Sequence, residues 1–176
     1  MNAWVVDTNV AVVANARSPQ AGPDCVASCV AKLLLLVQDG CVVLDAGFEI
    51  LREYMRQLSL AGQPGTGDYF LKWVWLNQEN SARCERVAIT PDTARGYAEF
   101  PDAVDLAGFD LSDRKFVAVA RASGKSPTVL NAVDSDWWLF GGALQANDVR
   151  VEHLCPEQVA GWQRKRIAEG RDNGTE

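Results

Sequence analysis

AWVVDTN, residues 3–9, and TVLNAVD, residues 128–134, share one pattern: an apolar run suited to a buried strand, closed by an acidic residue. CVVLD at 41–45 repeats it. Helical segments lie between and after these runs. One runs from Pro23 and Asp24, with Asp24 as N-cap, through Val37 to a stop at Gly40. A second spans about Gly47 to Leu60, where Phe48, Leu51, Met55 and Leu58 keep helical spacing. DYFLKWVWLNQ (68–78) predicts a third, with Tyr69, Trp73 and Leu76 on one side. Residues 113–122 predict a fourth, capped by Asp110 or Ser112, with Phe116, Val117 and Ala120 inward. Residues 135–146 are helical but weakened by Gly141 and Gly142, and a last helix starts near Pro156. Arg86–Thr90 and VRVEHL (149–154) complete the strands, while 61–67 is a loop and 91–111 is irregular.

This alternation predicts an α/β fold, a three-layer sandwich around a mostly parallel sheet with Rossmann-like topology. It predicts a single domain over 1–168 and a polar, disordered tail over 169–176. Ligands of such sheets bind beyond the carboxyl ends of the strands, where Asp7 and Asp134 lie.

Composition narrows the function classes. With 48% hydrophobic and 23% charged residues, the chain reads as a globular protein rather than a disordered one. LLLLV at 33–37 is too short to cross a bilayer, and Asp7 interrupts the first apolar run, so neither a membrane role nor a secretion signal is expected. The expected location is the cytoplasm. The five cysteines are scattered, without a CxxC, and His153 is the one histidine. They predict buried, reduced thiols rather than a zinc site. A net charge of −6 disfavours a general nucleic-acid binder. Five candidate site carboxylates supply most of that charge, however, and bound divalent cations would neutralise them.

Those carboxylates are Asp7, Glu53, Asp113, Asp134 and Asp136. Four of them have a plainer reading alone. Asp7 can cap a turn that Thr8 and Asn9 stabilise, Glu53 can face water, Asp113 can cap the helix after it, and Asp136 can cap the next one. Carboxylates are rarely brought together without a cation, and an all-oxygen donor set suits Mg2+ or Mn2+. Arg52 and Arg56 flank Glu53, and Arg114 and Lys115 follow Asp113, where any of them could contact phosphate. Trp73 and Trp75 suit core or oligomer packing better than base stacking, and Trp137 and Trp138 suit shielding of a metal pocket.

The ordered set VVDTNVAVVAN, LDAGFEILREYMRQL, GFDLSDRKFVAVARASG and TVLNAVDSDWW resembles the PIN-domain nucleases over nearly the whole chain. Bacterial PIN-domain toxins are similar but have a shorter equivalent of residues 61–111. The resemblance implies that Asp7, Glu53, Asp113 and Asp134 form a catalytic metal site, with Asp136 as a further ligand. It implies Mg2+ or Mn2+ as cofactor. Thr8, Asn9, Arg52, Arg114 and Lys115 would then face an RNA substrate, with DNA as the alternative. The implied activity is endoribonuclease hydrolysis of phosphodiester bonds, as a toxin held by an antitoxin or other regulatory protein, or in RNA processing or defence. A homodimer fits the same family. The competing reading is a PIN-fold protein-interaction module with a weak or inactive metal site. A phosphatase is disfavoured because Asn9 stands where a second aspartate is needed.

Overall fold

The computed structural model describes residues 2–172. The chain runs β1 (Ala3–Val6), α1 (Thr8–Ala14), α2 (Pro23–Asp39), β2 (Cys41–Asp45), α3 (Glu49–Gln57), α4 (Thr66–Asn77), β3 (Cys84–Val87), β4 (Pro91–Asp92) and β5 (Gly96–Tyr97). A 3-10 turn at Val104–Leu106 leads to α5 (Arg114–Ala122), β6 (Thr128–Asn131), α6 (Asp136–Leu139), α7 (Gly141–Ala146), β7 (Arg150–His153) and α8 (Pro156–Asp172).

The main sheet has the order β3-β2-β1-β6-β7, and every neighbouring pair is parallel. AWVV and CVVLD are buried at every position. That explains their unbroken apolar character, since a central parallel strand is covered on both faces. Helices α1, α2 and α4 pack on one another, while α5 lies on β1, β2 and β6. The result is the expected α/β sandwich with the sheet as its middle layer. Parallel order puts Val6, Asp45 and Asn131, the last residues of three adjacent strands' carboxyl ends or their neighbours, along one edge.

Several local expectations change. The turn at Asp7 continues directly into α1, whose Val10, Ala11 and Val13 are fully buried. Asp24 is not the N-cap of α2. Gly22 is, with Pro23 at the first helical position. Helix α3 starts only at Glu49, because Asp45 at the end of β2 accepts the amides of Glu49 (2.7 Å) and Ile50 (2.8 Å). Helix α4 buries Phe70, Leu71 and Val74, and leaves Tyr69 and Leu76 exposed. Its sequence carries two apolar stripes, and contact with α1 chooses between them. Gly67 permits that contact, since a Cβ there would lie 2.0 Å from the carbonyl oxygen of Ala11. The predicted helix over 135–146 is two short helices meeting at Phe140. Residues 169–172, expected in the tail, continue α8, and residues 173–176 lie outside the described residues.

The cysteine expectation is corrected. Cys25 and Cys155 form a disulfide, which ties α2 to the junction of β7 and α8. The fold brings together positions that are 130 residues apart in sequence, a proximity invisible in spacing. Cys29, Cys41 and Cys84 are free and buried, as expected of reduced thiols. Among the described residues, no helix is long and apolar enough to cross a membrane.

Candidate active site

Asp7 follows β1 and occupies the N-cap of α1. It is 4% exposed, and both its oxygens are engaged. Oδ1 accepts the amide of Asn9 at 3.0 Å, and Oδ2 accepts the indole N–H of Trp137 at 2.6 Å. Trp137 is fully buried and packs edge-on against Phe109, whose ring in turn stacks beside Phe100. The segment 94–110 thus forms an apolar backing for Asp7. Arg114 pins that segment by donating to the carbonyls of Arg95, Ala107 and Phe109, with its guanidinium over Phe100.

Asp113 reaches the site from the N-cap of α5, yet its side chain makes no capping bond. Asp110 stabilises that turn instead, accepting the amide and hydroxyl of Ser112 at 2.6 Å each. The Asp113 carboxyl is therefore left free of a local structural task. Asp134 arrives from the loop after β6. Asn9 and Asn131 hold this loop: Asn9 Nδ2 donates to Asn131 Oδ1 at 3.0 Å, and Asn9 Oδ1 accepts the amide of Ala132 at 2.8 Å. Asn131 Nδ2 donates to the carbonyl of Asp134 at 2.7 Å.

Asp7, Asp113 and Asp134 each place a carboxylate oxygen within 4.8 Å of the others. Burial and crowding show in the pKa values of Asp7 and Asp113. Burial pushes Asp7 up to about 7; the Asn9 and Trp137 donors oppose this, and the charges of Asp134 and Glu53 reinforce it. Burial, then the charges of Asp7, Asp134 and Asp110, push Asp113 up to about 8, with Lys115 opposing.

Glu53 and Asp136 flank this triad without joining the group that meets within 4.8 Å. Glu53 shares a cleft of about 440 Å3 with Asp7 and Asp134. Its Oε1 accepts the hydroxyl of Thr8 at 2.5 Å, and its Oε2 pairs with the ammonium of Lys115 at 2.6 Å. Tyr54, the next residue, donates to the carbonyl of Val6 and so anchors α3 one residue before Asp7. Asp136 gives its backbone N–H to Asp134 Oδ1 at 2.9 Å, and burial followed by the charge of Asp134 raises its carboxyl pKa.

The expected phosphate contacts fare differently. Thr8 and Lys115 are buried and fix Glu53, while Asn9 fixes the 132–134 loop and Arg114 the 94–110 segment. Arg52 is exposed and pairs with Glu49 at 3.7 Å. Arg56 is the cation that lines the cleft. Trp73 and Trp75 do not line it, and Trp73 packs beneath the Arg83 guanidinium. Sequence reasoning missed the Trp137 donor, the Asn9–Asn131 clip and the capping role of Asp45. Tryptophan's lone N–H, which needs an acceptor when buried, was the available signal for the first.

No protein-family model matches the chain, and no curated protein or solved structure matches it either.

Proposed function

We propose that this chain is a divalent-metal-dependent endonuclease with a preference for RNA. The observation that carries the reading is the meeting of Asp7, Asp113 and Asp134 within 4.8 Å, beside an open cleft. Nothing structural is gained from crowding three carboxylates, two of them with raised pKa values. A hard cation resolves the repulsion, and oxygen-only donors fit Mg2+ or Mn2+. Asp7, Asp113 and Asp134 would hold the ion, with Asp136 beside them. Bound there, it supplies polarisation of a phosphate oxygen and activation of water.

The remaining residues orient and exclude. Trp137 and its aromatic cover keep water from the rear of Asp7 and aim its oxygens. Thr8 and Lys115 fix the Glu53 carboxylate in the cleft, where it would orient the attacking water. Arg56 would contact a phosphate. A toxin restrained by an antitoxin protein is the cellular setting that the sequence resemblance favours.

One observation favours an interaction module with an idle site: Glu53 already has a built-in cation, since Lys115 sits 2.6 Å away. The deciding experiment measures cleavage of RNA and DNA with Mg2+ or Mn2+, with EDTA as control. Asp113→Asn is the better control variant. At position 7 an amide would point a donor at either Trp137 or the Asn9 amide, whereas Asp113 has no capping bond to lose. We expect metal-dependent cleavage of RNA that EDTA and Asp113→Asn abolish. Clean protein that cuts no RNA or DNA under any of these conditions would move the reading to the interaction module.

A further inference from the structure

A second surface next to the acidic cluster combines tryptophan and positive charge. Ser135, the residue between Asp134 and Asp136, lines a hollow of about 410 Å3 together with Trp138, Leu139, Trp162, Lys165, Arg166 and Glu169. The Glu169 carboxylate lies 3.9 Å from the Lys165 ammonium and leaves Arg166 as the unpaired cation of the lining among the described residues. Trp138 and Arg166 also line a neighbouring hollow of about 370 Å3. They therefore form a partition, with the Arg166 guanidinium 5.7 Å from the centre of the Trp138 ring. Trp162 braces Trp138 from α8 with ring centres 6.4 Å apart. Both indoles are partly exposed, and Lys165 and Arg166 are exposed. Each hollow falls in the ordinary size range of a small-ligand cleft.

We propose that this surface binds single-stranded nucleic acid, seating two successive bases on either side of the Trp138–Arg166 partition. The inference rests on the nuclease reading of the acidic cluster and extends it to substrate choice. Its chemistry is that of sequence-tolerant strand binding, in which aromatic faces stack on bases and nearby cations meet the backbone. Arg164, Lys165 and Arg166 form a basic run on a chain whose net charge is −6, and Lys165 and Arg166 bring two of these cations to the hollow against the single carboxylate of Glu169. Ser135 links the two sites: a strand leaving the first hollow past this residue reaches Asp134 next. Duplex does not suit the surface, because paired bases do not offer their faces for stacking.

The test is fluorescence anisotropy of a labelled single-stranded RNA of ~10 nucleotides in EDTA, which separates binding from cleavage. We expect Trp138→Ala to weaken binding about 10-fold. Lys165→Glu with Arg166→Glu should weaken it at least as much and flatten its salt dependence. The charge-reversal pair lies on an exposed helix face, so it keeps the test valid if Trp138→Ala unfolds. Asp113→Asn should bind at least as tightly as the parent. Parental binding in the charge-reversal variant overturns the inference while leaving the nuclease reading intact. Equal binding of a duplex of the same sequence overturns it too, as does a parent that binds no RNA at low salt; the surface would then suit a protein partner. A parent that binds through Trp138 but never cleaves keeps the inference and removes the nuclease reading.

Discussion

Asp7 and Asp68 are both buried aspartates near α1, and their surroundings push them in opposite directions. Burial raises both. Asp68 more than recovers it through the amides of Ser59 (2.8 Å) and Gly65 (3.2 Å), the side chain of Asn15 (2.9 Å) and Arg17 at 3.5 Å. Its carboxyl is held below the usual range. Asp7 has two donors and then meets Asp134 and Glu53, so it ends above that range. A buried carboxylate surrounded by donors is part of the scaffold. One surrounded by other carboxylates costs stability, and that cost calls for a functional explanation.

The strongest way to break this contrast is to remove the scaffold member. Asp68→Ala strands two amides and the Asn15 side chain, while the half-exposed Arg17 returns to water, and should cost about 3–4 kcal/mol. Urea denaturation would show a lower midpoint with an unchanged slope, and the response to Mn2+ should persist. A variant as stable as the parent would erase the distinction.

Asp113→Asn should act in the opposite sense on stability. It should cut cleavage at least ~100-fold, equivalent to about 3 kcal/mol of barrier. The same change should stabilise the metal-free protein at pH 8 by about 1–2 kcal/mol, because it deletes a charge that burial, and then the neighbouring carboxylates, disfavour. Calorimetry beside the cleavage assay would reveal this pairing of lost activity with gained stability.

The pH response sharpens the same point. A carboxyl whose folded pKa is raised stabilises the fold below its unfolded pKa and loses that contribution as pH rises through the folded one. Asp7 and Asp113 therefore predict a metal-free protein that loses stability between roughly pH 4 and pH 8, with Mn2+ restoring it at pH 8. Asp68 contributes the reverse, stability lost as pH falls into the carboxylate range. Thermal melts at pH 5 and pH 8, with and without Mn2+, would show it. A metal-free melting point that climbs between these values would refute the assignment. The smallest effect belongs to Arg56→Ala, expected to weaken RNA binding about 3-fold and flatten its salt dependence slightly.

The central fold was legible because AWVV, CVVLD and TVLN are short apolar runs that only covered strands accommodate. The positions of Asp7 and Asp134 followed from the rule that parallel strands share a carboxyl edge. The approach of Asp113 was not legible in its own segment, where an acidic residue just before a helix reads as a cap. What stayed hidden depends on contacts between distant segments. α1 is short and follows a polar turn, so its first residues read as loop. The 61–111 stretch gave no hint that Phe100 and Phe109 would cover Trp137. Nor did the roles of Lys115 and Arg114 show locally, since a basic helix residue reads as solvated until Glu53 or a set of carbonyls is placed beside it.

The clip between Asn9 and Asn131 has a consequence for how this site can drift. It holds the 132–134 loop through main-chain groups: the amides of Ala132 and Asp134, and the carbonyl of Asp134. The bonds are indifferent to which small side chain stands at 132 or 133. The two asparagines carry the mutational burden for the whole turn, so substitutions could accumulate between them while Asp134 keeps its place.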